Sequence, residues 1–164
     1  IGGGGEIAYW LELKAAFEAM NVPFPILLVR NSALIITEKQ AEKLEKMNIS
    51  KSDIFLKQNS LINKKIREIS NIDIDFSPQK KLLEEQFKDM YVLAEKTDKS
   101  FLGAVKAQEV KQKKGLDALE KRLLQAQKRK LKDQVVRMTE LQNEIFPNQS
   151  LQERQSNFSE FYLA

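Results

Sequence analysis

One apolar stripe in the second half of the chain constrains the fold more than any other feature. From about Lys99 to Phe146 the sequence contains no Pro and only two Gly, Gly103 and Gly115. Ten apolar residues recur there with helical period and share one face: Leu102, Val105, Leu116, Leu119, Leu123, Leu131, Val135, Met138, Leu141 and Ile145. A helix about 65 Å long is too long for a globular core to cover, whereas a second helix can cover it. The stripe therefore predicts a coiled-coil arm, with a bend or polar layer near Gly115.

Upstream segments supply partners for this long helix. Helices are predicted from Thr37, a capping residue, to about Met47, and over roughly 57–70 and 78–96. Pro78 fits the first position of the last of these, where its missing N–H has no intrahelical acceptor to lose. The sequence thus predicts an antiparallel helical coiled-coil domain over 38–146. Residues 147–164 open with Pro147 and Asn148 and are predicted to return toward the core.

The first 37 residues have a different pattern. A Gly2–Gly5 loop precedes a predicted helix over about 6–20, whose apolar residues cover most of its circumference and indicate burial on several sides. The continuous apolar run 24–30 predicts a parallel strand covered on both faces, and 32–37 a second short strand. Residues 1–37 are therefore interpreted as the end of a Rossmann-like α/β core. The predicted fold class is mainly α, a long antiparallel helical arm attached to a small α/β remnant.

Composition excludes several kinds of chemistry. The chain has 164 residues, with 27 Lys or Arg, 23 Asp or Glu, and neither Cys nor His. A thiol or imidazole nucleophile, a Cys/His zinc site and a disulfide are thereby excluded within this stretch, and no metal site is expected. No apolar run reaches the length of a membrane span, and no signal peptide is recognisable. Because the first residue is Ile, we expect the chain to be part of a longer protein.

Two positions near the glycine loop could bind a ligand. Glu6 follows the loop directly, where a carboxylate suits a ligand amine or simply caps the helix. Arg30 and Asn31 end the predicted strand, on the side where open α/β sheets bind ligands, although an ordinary strand-exit loop explains them equally well. Arg30 would pair with a substrate carboxylate through two hydrogen bonds. The loop does not match the dinucleotide-binding pattern G-x-G-x-x-G.

A row of basic residues lies opposite the apolar stripe: Lys111, Lys114, Lys121, Arg122, Lys128, Arg129 and Lys132. Charge on the exposed face of a coiled coil is typical. Contact with RNA phosphates, as in helical arms of some tRNA synthetases, is the alternative. No aromatic side chains interleave with these charges, so the pattern does not indicate base stacking.

Three segments resemble one enzyme family, the bacillithiol cysteine-adding enzymes, BshC. Gly2–Trp10 resembles that family's Gly-Gly-Pro-Gly-Glu-Ile-Ala-Tyr-Trp segment, with Gly4 where the family usually has Pro. Residues 119–130 resemble part of its long helix, and Phe146–Arg154 resembles its Phe-Pro-Asn-x-x-Leu-Gln-Glu-Arg segment. The three matches occur in the family's order and span nearly the whole chain.

The resemblance implies the C-terminal portion of a larger bacterial cytoplasmic ligase, inactive as this portion alone. Such an enzyme has a Rossmann-like core and a coiled coil that pairs two subunits, and it joins L-cysteine to the amine of glucosaminyl malate. Amide formation needs an activated carboxyl, so ATP is the expected cofactor. The expected substrate-binding residues are Gly3, Gly5, Glu6, Tyr9, Arg30 and Asn31, and the motifs do not identify catalytic residues. The rival hypothesis is a non-catalytic helical interaction or RNA-binding arm.

Overall fold

Helices dominate the computed structural model, which describes residues 1–157 and 159–162. The α-helices are α1 (Gly4–Glu12), α2 (Lys14–Ala19), α3 (Glu38–Lys46), α4 (Gln58–Ile69), α5 (Ser77–Glu95), α6 (Lys99–Lys130), α7 (Lys132–Ile145) and α8 (Ser159–Tyr162). Short 3₁₀ turns lie at Asp53–Phe55, Pro147–Gln149 and Gln152–Arg154. The described residues contain no strand, so the mainly α class is confirmed.

The chain forms two compact units. Residues 36–149 make one, called here the helical unit, and residues 1–35 with 150–164 make the other, called the glycine-loop unit. Residues 158, 163 and 164, which belong to the predicted return segment 147–164, lie outside the described residues.

In the helical unit, α5 and α6 form a long antiparallel hairpin. Asp98 caps α6, its Oδ1 accepting from the Phe101 amide at 2.8 Å. Phe87, Ala94 and Val105 form the buried centre of the hairpin, with Leu83 and Tyr91 packed against them. Ion pairs cross it in antiparallel register, including Lys80 with Asp117 at 2.5 Å and Lys113 with Glu84 at 2.9 Å. The predicted arm is confirmed.

Of the two alternatives predicted near Gly115, the polar layer is present and the bend is not. Lys113 pairs with Glu109 at 2.6 Å and with Glu84 at 2.9 Å across the hairpin. Helix α6 runs through Gly115 without interruption, and the break comes at Leu131, whose φ of −102° and ψ of 31° leave the helical region. Glycine weakens a helix but does not require it to bend, and ion pairs hold α6 to α5 on both sides of Gly115. At Leu131 the packing partner changes, because α6 contacts α5 and α4 whereas α7 contacts α3 and α4.

Burial follows the predicted stripe only in part. Val105, Met138, Leu141 and Ile145 are buried as expected. Leu119 is 52% exposed, whereas Leu124, which the predicted stripe left out, is 6% exposed. Helix α6 packs against both α5 and α4, so the position of these two helices decides which of its side chains are buried. The apolar stripe in the sequence does not contain that information.

Beyond the hairpin, the helical unit has a polar network inside its core. The Gln142 side chain, 2% exposed, donates from Nε2 to the backbone oxygens of Ile54 and Leu56, both at 2.8 Å. Asp53, at the start of a 3₁₀ turn, accepts from Lys64 Nζ at 2.7 Å. At the start of α3, the predicted Thr37 cap is confirmed as a capping box with Gln40.

The glycine-loop unit differs from its prediction in two respects. The helix predicted over 6–20 is divided into α1 and α2 at Leu13, and neither helix has a buried residue. The predicted strands over 24–30 and 32–37 are absent, and a single parallel bridge joins Gly2 to Val29. A β-strand forms only where a neighbouring segment exchanges several backbone hydrogen bonds with it. Here Gly2 pairs with Val29 at one position only, because helix α1 begins two residues later.

The C-terminal segment packs onto residues 30–35 of the same unit. Gln152 is buried, and its side-chain amide pairs with the backbone of Ile35, accepting from the Ile35 amide at 2.9 Å and donating to the Ile35 oxygen at 3.1 Å. This pair reproduces the two hydrogen bonds that a neighbouring strand would make. It positions Glu153 beside Ser32, whose hydroxyl donates to the carboxylate at 3.1 Å.

Candidate substrate-binding site

The glycine loop is positioned by its pairing with residues 28–30. The Gly2 amide donates to the Leu28 oxygen and the Arg30 amide donates to the Gly2 oxygen, both at 2.9 Å. Gly3 then serves as the N-cap of α1 in an extended conformation. A Cβ at Gly4 or Gly5 would meet nothing within 4 Å, so the first turn of α1 is open to approach.

Glu6 occupies the third position of α1 and caps it. The Gly3 amide donates to Glu6 Oε2 at 2.7 Å. A carboxylate here satisfies one of the amides that a helix start leaves without an acceptor, and it complements the helix dipole. Glu6 Oε1 has no hydrogen-bond partner among the described residues, so capping leaves one carboxylate oxygen for a ligand.

A cavity of about 440 Å³ adjoins this carboxylate. Its lining combines Glu6 with apolar and backbone groups: Ile1, Gly2, Ile7, Trp10, Pro25, Ile26 and Leu27. The side chains that line it include no Lys or Arg. A carboxylate among apolar walls suits a ligand amine with an uncharged body, and it does not suit a phosphate group.

Two arginine side chains, Arg30 and Arg154, lie next to Gly3. A Cβ at Gly3 would lie 3.7 Å from Arg30 Nε and 3.8 Å from Arg154 Nη2, so both guanidinium groups border the same glycine. Arg30 Nη2 also lies 3.7 Å from Glu153 Oε1. The site thus combines a carboxylate at Glu6 with a guanidinium pair at Arg30 and Arg154.

The structure brings some of the predicted site residues together. Gly3, Glu6 and Arg30 are joined by the contacts above. Gly5 lies in the first turn of α1, whereas Tyr9 is exposed on the same helix and does not line the cavity. Asn31 is exposed and makes no hydrogen bond or ion pair with another described residue.

Arg154 and Glu153 were missed as site residues. Both lie in the Leu-Gln-Glu-Arg segment, which is part of the family resemblance but which contains no predicted substrate-binding residue. More than a hundred residues separate them from Arg30 in the sequence. The pairing of Gln152 with Ile35, and the contacts of Glu153 with Ser32 and Arg30, bring them near the glycine loop.

Two other kinds of site, a metal centre and a membrane span, are absent from the part of the chain that the structure describes. No group of acidic, His or Cys side chains there could hold a metal ion. None of its helices has the length and apolarity required to cross a membrane. Within the same described residues, the basic residues opposite the stripe, Lys121 and Arg122 among them, form no ion pair.

A glycine loop that opens a helix beside a parallel bridge, together with a long helical hairpin, defines a mainly helical protein with a coiled-coil arm. Residues 33–164 match the family described as Bacillithiol biosynthesis BshC, C-terminal coiled-coil domain, and residues 1–31 match its N-terminal Rossmann-like domain. The chain belongs to the BshC family. These matches confirm the resemblance and the predicted fold class.

Similar proteins carry the name cysteine ligase BshC. The chain is 71% identical to the one from Christiangramia forsetii, over 99% of this chain and 30% of that protein. It is 64% identical to the Flavobacterium johnsoniae protein, over 99% and 31%, and 31% identical to the one from Lysinibacillus sphaericus, over 98% and 31%. The chain thus spans about a third of the length of these relatives. No solved structure matches it significantly.

Proposed function

We propose that the whole enzyme containing this chain is a bacterial cytoplasmic ligase of bacillithiol biosynthesis, which joins L-cysteine to the amine of glucosaminyl malate. One observation supports this most strongly: the chain matches both family domains in order, and relatives that are 71% and 64% identical to it carry the name cysteine ligase BshC. In this proposal residues 1–35 and 150–162 contribute part of the substrate site.

The glycine-loop unit supplies two complementary binding groups for this reaction. Glu6 Oε1 holds the ammonium group of a substrate before it loses its proton and attacks. Arg30 pairs with a substrate carboxylate through its planar fork. Both roles are binding roles, and the bond-forming chemistry is assigned to the rest of the enzyme.

ATP is proposed as the co-substrate that activates the cysteine carboxyl. The cavity beside Glu6 does not fit its phosphates, because a carboxylate and no cation lines that cavity. We therefore place the ATP site outside this cavity and derive no step through it.

The hairpin of the helical unit is proposed to pair two subunits. Apolar side chains remain uncovered along α5 and α6, including Leu82 at 60% exposure and Leu119 at 52%. They line an apolar groove of about 490 Å³ between the two helices, together with Leu83 and Leu116. Groups of exposed apolar side chains of this kind mark interfaces, and a second copy of the arm presents a matching apolar surface.

The proposed activity is tested by incubating the whole enzyme with L-cysteine, glucosaminyl malate and ATP. Mass spectrometry should detect an amide product whose mass is the sum of the two substrates less one water. Reactions without ATP, or with serine in place of cysteine, serve as controls. If the enzyme binds neither substrate and forms no such product under any condition, the proposal is wrong.

A further inference from the structure

The ion pairs around Gly3 leave one of two arginines without a carboxylate partner. Two guanidinium groups, Arg30 and Arg154, each come within 4 Å of the point where a Gly3 side chain would begin. Of the two carboxylates nearby, Glu153 forms an ion pair with Arg30 at 3.7 Å, whereas Glu6 accepts from the Gly3 amide and forms no ion pair with a described residue. In the described part of the chain Arg154 has no ion-pair partner. Because a guanidinium group without an ion-pair partner attracts negative charge, the two arginines are suited to an additional anion.

Gly3 leaves room for that anion. Its φ of −71° and ψ of 166° are open to any residue, so backbone conformation does not require glycine here. A methyl group would instead occupy the space bordered by the two guanidinium groups, in ordinary contact with both. Arg30 is half exposed and Arg154 is exposed, so both remain accessible to a ligand.

We propose that Arg30 and Arg154 together clamp the two carboxylates of a malate group. This rests on the proposed function, in which glucosaminyl malate is a substrate. A malate group carries two carboxylates, and each planar guanidinium can bind one of them through paired hydrogen bonds. Glu153 is a positioning residue, because it holds Arg30 and is itself held by Ser32.

Titration calorimetry of the whole enzyme with L-malate tests the clamp directly. Arg154→Gln should weaken L-malate binding about tenfold to a hundredfold, the usual effect of losing a charge-assisted pair. Arg154→Lys should recover only part of it. Gly3→Ala, which keeps every charge and fills the space, should also weaken binding. Arg122→Gln, the same change at an exposed arginine of α6, is the matched control and should leave binding unchanged.

A wild-type experiment keeps the proposal testable if a variant fails to fold. L-malate should compete with glucosaminyl malate, whereas malamide, in which both carboxylates are amides, should not. Equal competition by the two compounds, or an Arg154→Gln variant that binds L-malate as the wild type does, overturns the clamp.

The same variants show whether the arginine pair binds a carboxylate or a phosphate group. If Arg154→Gln raises the KM for ATP and abolishes binding of inorganic phosphate while the KM for glucosaminyl malate is unchanged, the pair binds phosphate and the malate assignment is wrong. Calorimetry with L-malate does not depend on turnover. An enzyme that binds L-malate through Arg154 but adds no cysteine would therefore contradict the proposed function and leave the clamp standing.

Discussion

The Gly3 amide donates to the Glu6 carboxylate, with 2.7 Å between N and Oε2. This hydrogen bond fixes one oxygen of Glu6 at the start of its own helix and leaves Oε1 without a hydrogen-bond partner among the described residues. The Glu6 side chain also lines a cavity together with Trp10 and Ile7. Capping and ligand binding, which were alternative interpretations of Glu6, are therefore compatible. The cap orients the carboxylate, and the cavity gives a ligand amine access to it.

Replacing Glu6 by Gln separates these two roles. The Gln amide oxygen can still accept from the Gly3 amide, so α1 keeps its cap, but the negative charge is lost. We expect kcat/KM for cysteine addition to fall at least about tenfold, the usual effect of losing a charge-assisted hydrogen bond, with little change in the melting temperature. Glu12→Gln, at the exposed end of the same helix, is the control. Wild-type turnover by Glu6→Gln would reduce Glu6 to a cap.

Arg30→Lys tests whether substrate binding requires the planar guanidinium group of Arg30, which can bind a carboxylate through two hydrogen bonds. An ammonium group keeps a positive charge opposite Glu153 but cannot make two parallel hydrogen bonds to a carboxylate. Steady-state kinetics should show a loss of kcat/KM of about tenfold or more. Arg129→Lys, at an exposed position of α6, should have no effect. Full kcat/KM in Arg30→Lys would show that Arg30 binds no carboxylate.

Gln142→Glu should destabilise the helical unit strongly. At neutral pH it would point a carboxylate at the backbone oxygens of Ile54 and Leu56, in place of an NH₂ group that donates to both. A buried charge without a donor costs about 3 kcal/mol or more of the free energy of unfolding. Chemical denaturation followed by far-UV circular dichroism measures the difference. Gln134→Glu, exposed on the same helix, should change stability by less than about 0.5 kcal/mol.

Acid stability should depend on Asp53. The hydrogen bond from Lys64 lowers the pKa of its carboxyl, and hydrogen bonds from Ser50 lower it further. The unfolded chain therefore binds a proton at Asp53 more readily than the folded one. The stabilisation is present above the ordinary carboxyl pKa of about 4 and is lost as pH falls below it.

Asp53→Asn should reduce the slope of unfolding free energy against pH in that acid range. Asp75, Asp117, Glu109 and Glu120 also have lowered pKa values through their own partners, so part of the slope will remain. Asp89→Asn, on the exposed face of α5, is the control. Identical slopes in Asp53→Asn and the wild type would contradict the assignment.

The arm should be a dimer interface through its uncovered apolar side chains. Leu82→Glu together with Leu119→Glu places charge in the groove between α5 and α6 without touching the buried Phe87 and Val105. Light scattering of the whole enzyme should show a dimer in the wild type and a monomer in this variant.

Met138 is a poorer choice for this test, because it is 3% exposed within its own chain and Met138→Asp should unfold the arm. Charge reversal at Lys121, Arg122, Lys128 and Arg129 is the control and should leave the dimer intact. A wild-type monomer at micromolar concentration would exclude the dimer. Loss of tRNA binding on charge reversal, at physiological salt, would favour the RNA-binding arm instead.

Local signals predicted the helices well. The Thr37 capping box depends on two residues three positions apart, and Pro78 lies in the first turn of α5 as expected. Such signals act through hydrogen bonds and backbone angles within one helical turn, so they can be read from neighbouring residues. The apolar stripe likewise predicted the hairpin of α5 and α6, because helical period is a property of the segment itself.

Contacts between distant residues could not be predicted in this way. The run 24–30 has the composition of a strand, but a strand requires a partner, and Gly2 supplies one bridge only. Leu131 rather than Gly115 ends α6, because the packing partner changes there.

The sequence by itself determined the helical class, the long hairpin, the glycine loop with Glu6 at the start of α1, and the family. These depend on periodicity, caps and short motifs, whose physical causes lie within a few neighbouring residues. Only the tertiary structure decided that Arg154 joins Arg30 beside Gly3, since that meeting depends on Gln152 pairing with the backbone of Ile35 across more than a hundred residues. A charge pair formed by chain folding leaves no periodic or spacing signal in the sequence, because its geometry depends on the path of the whole chain.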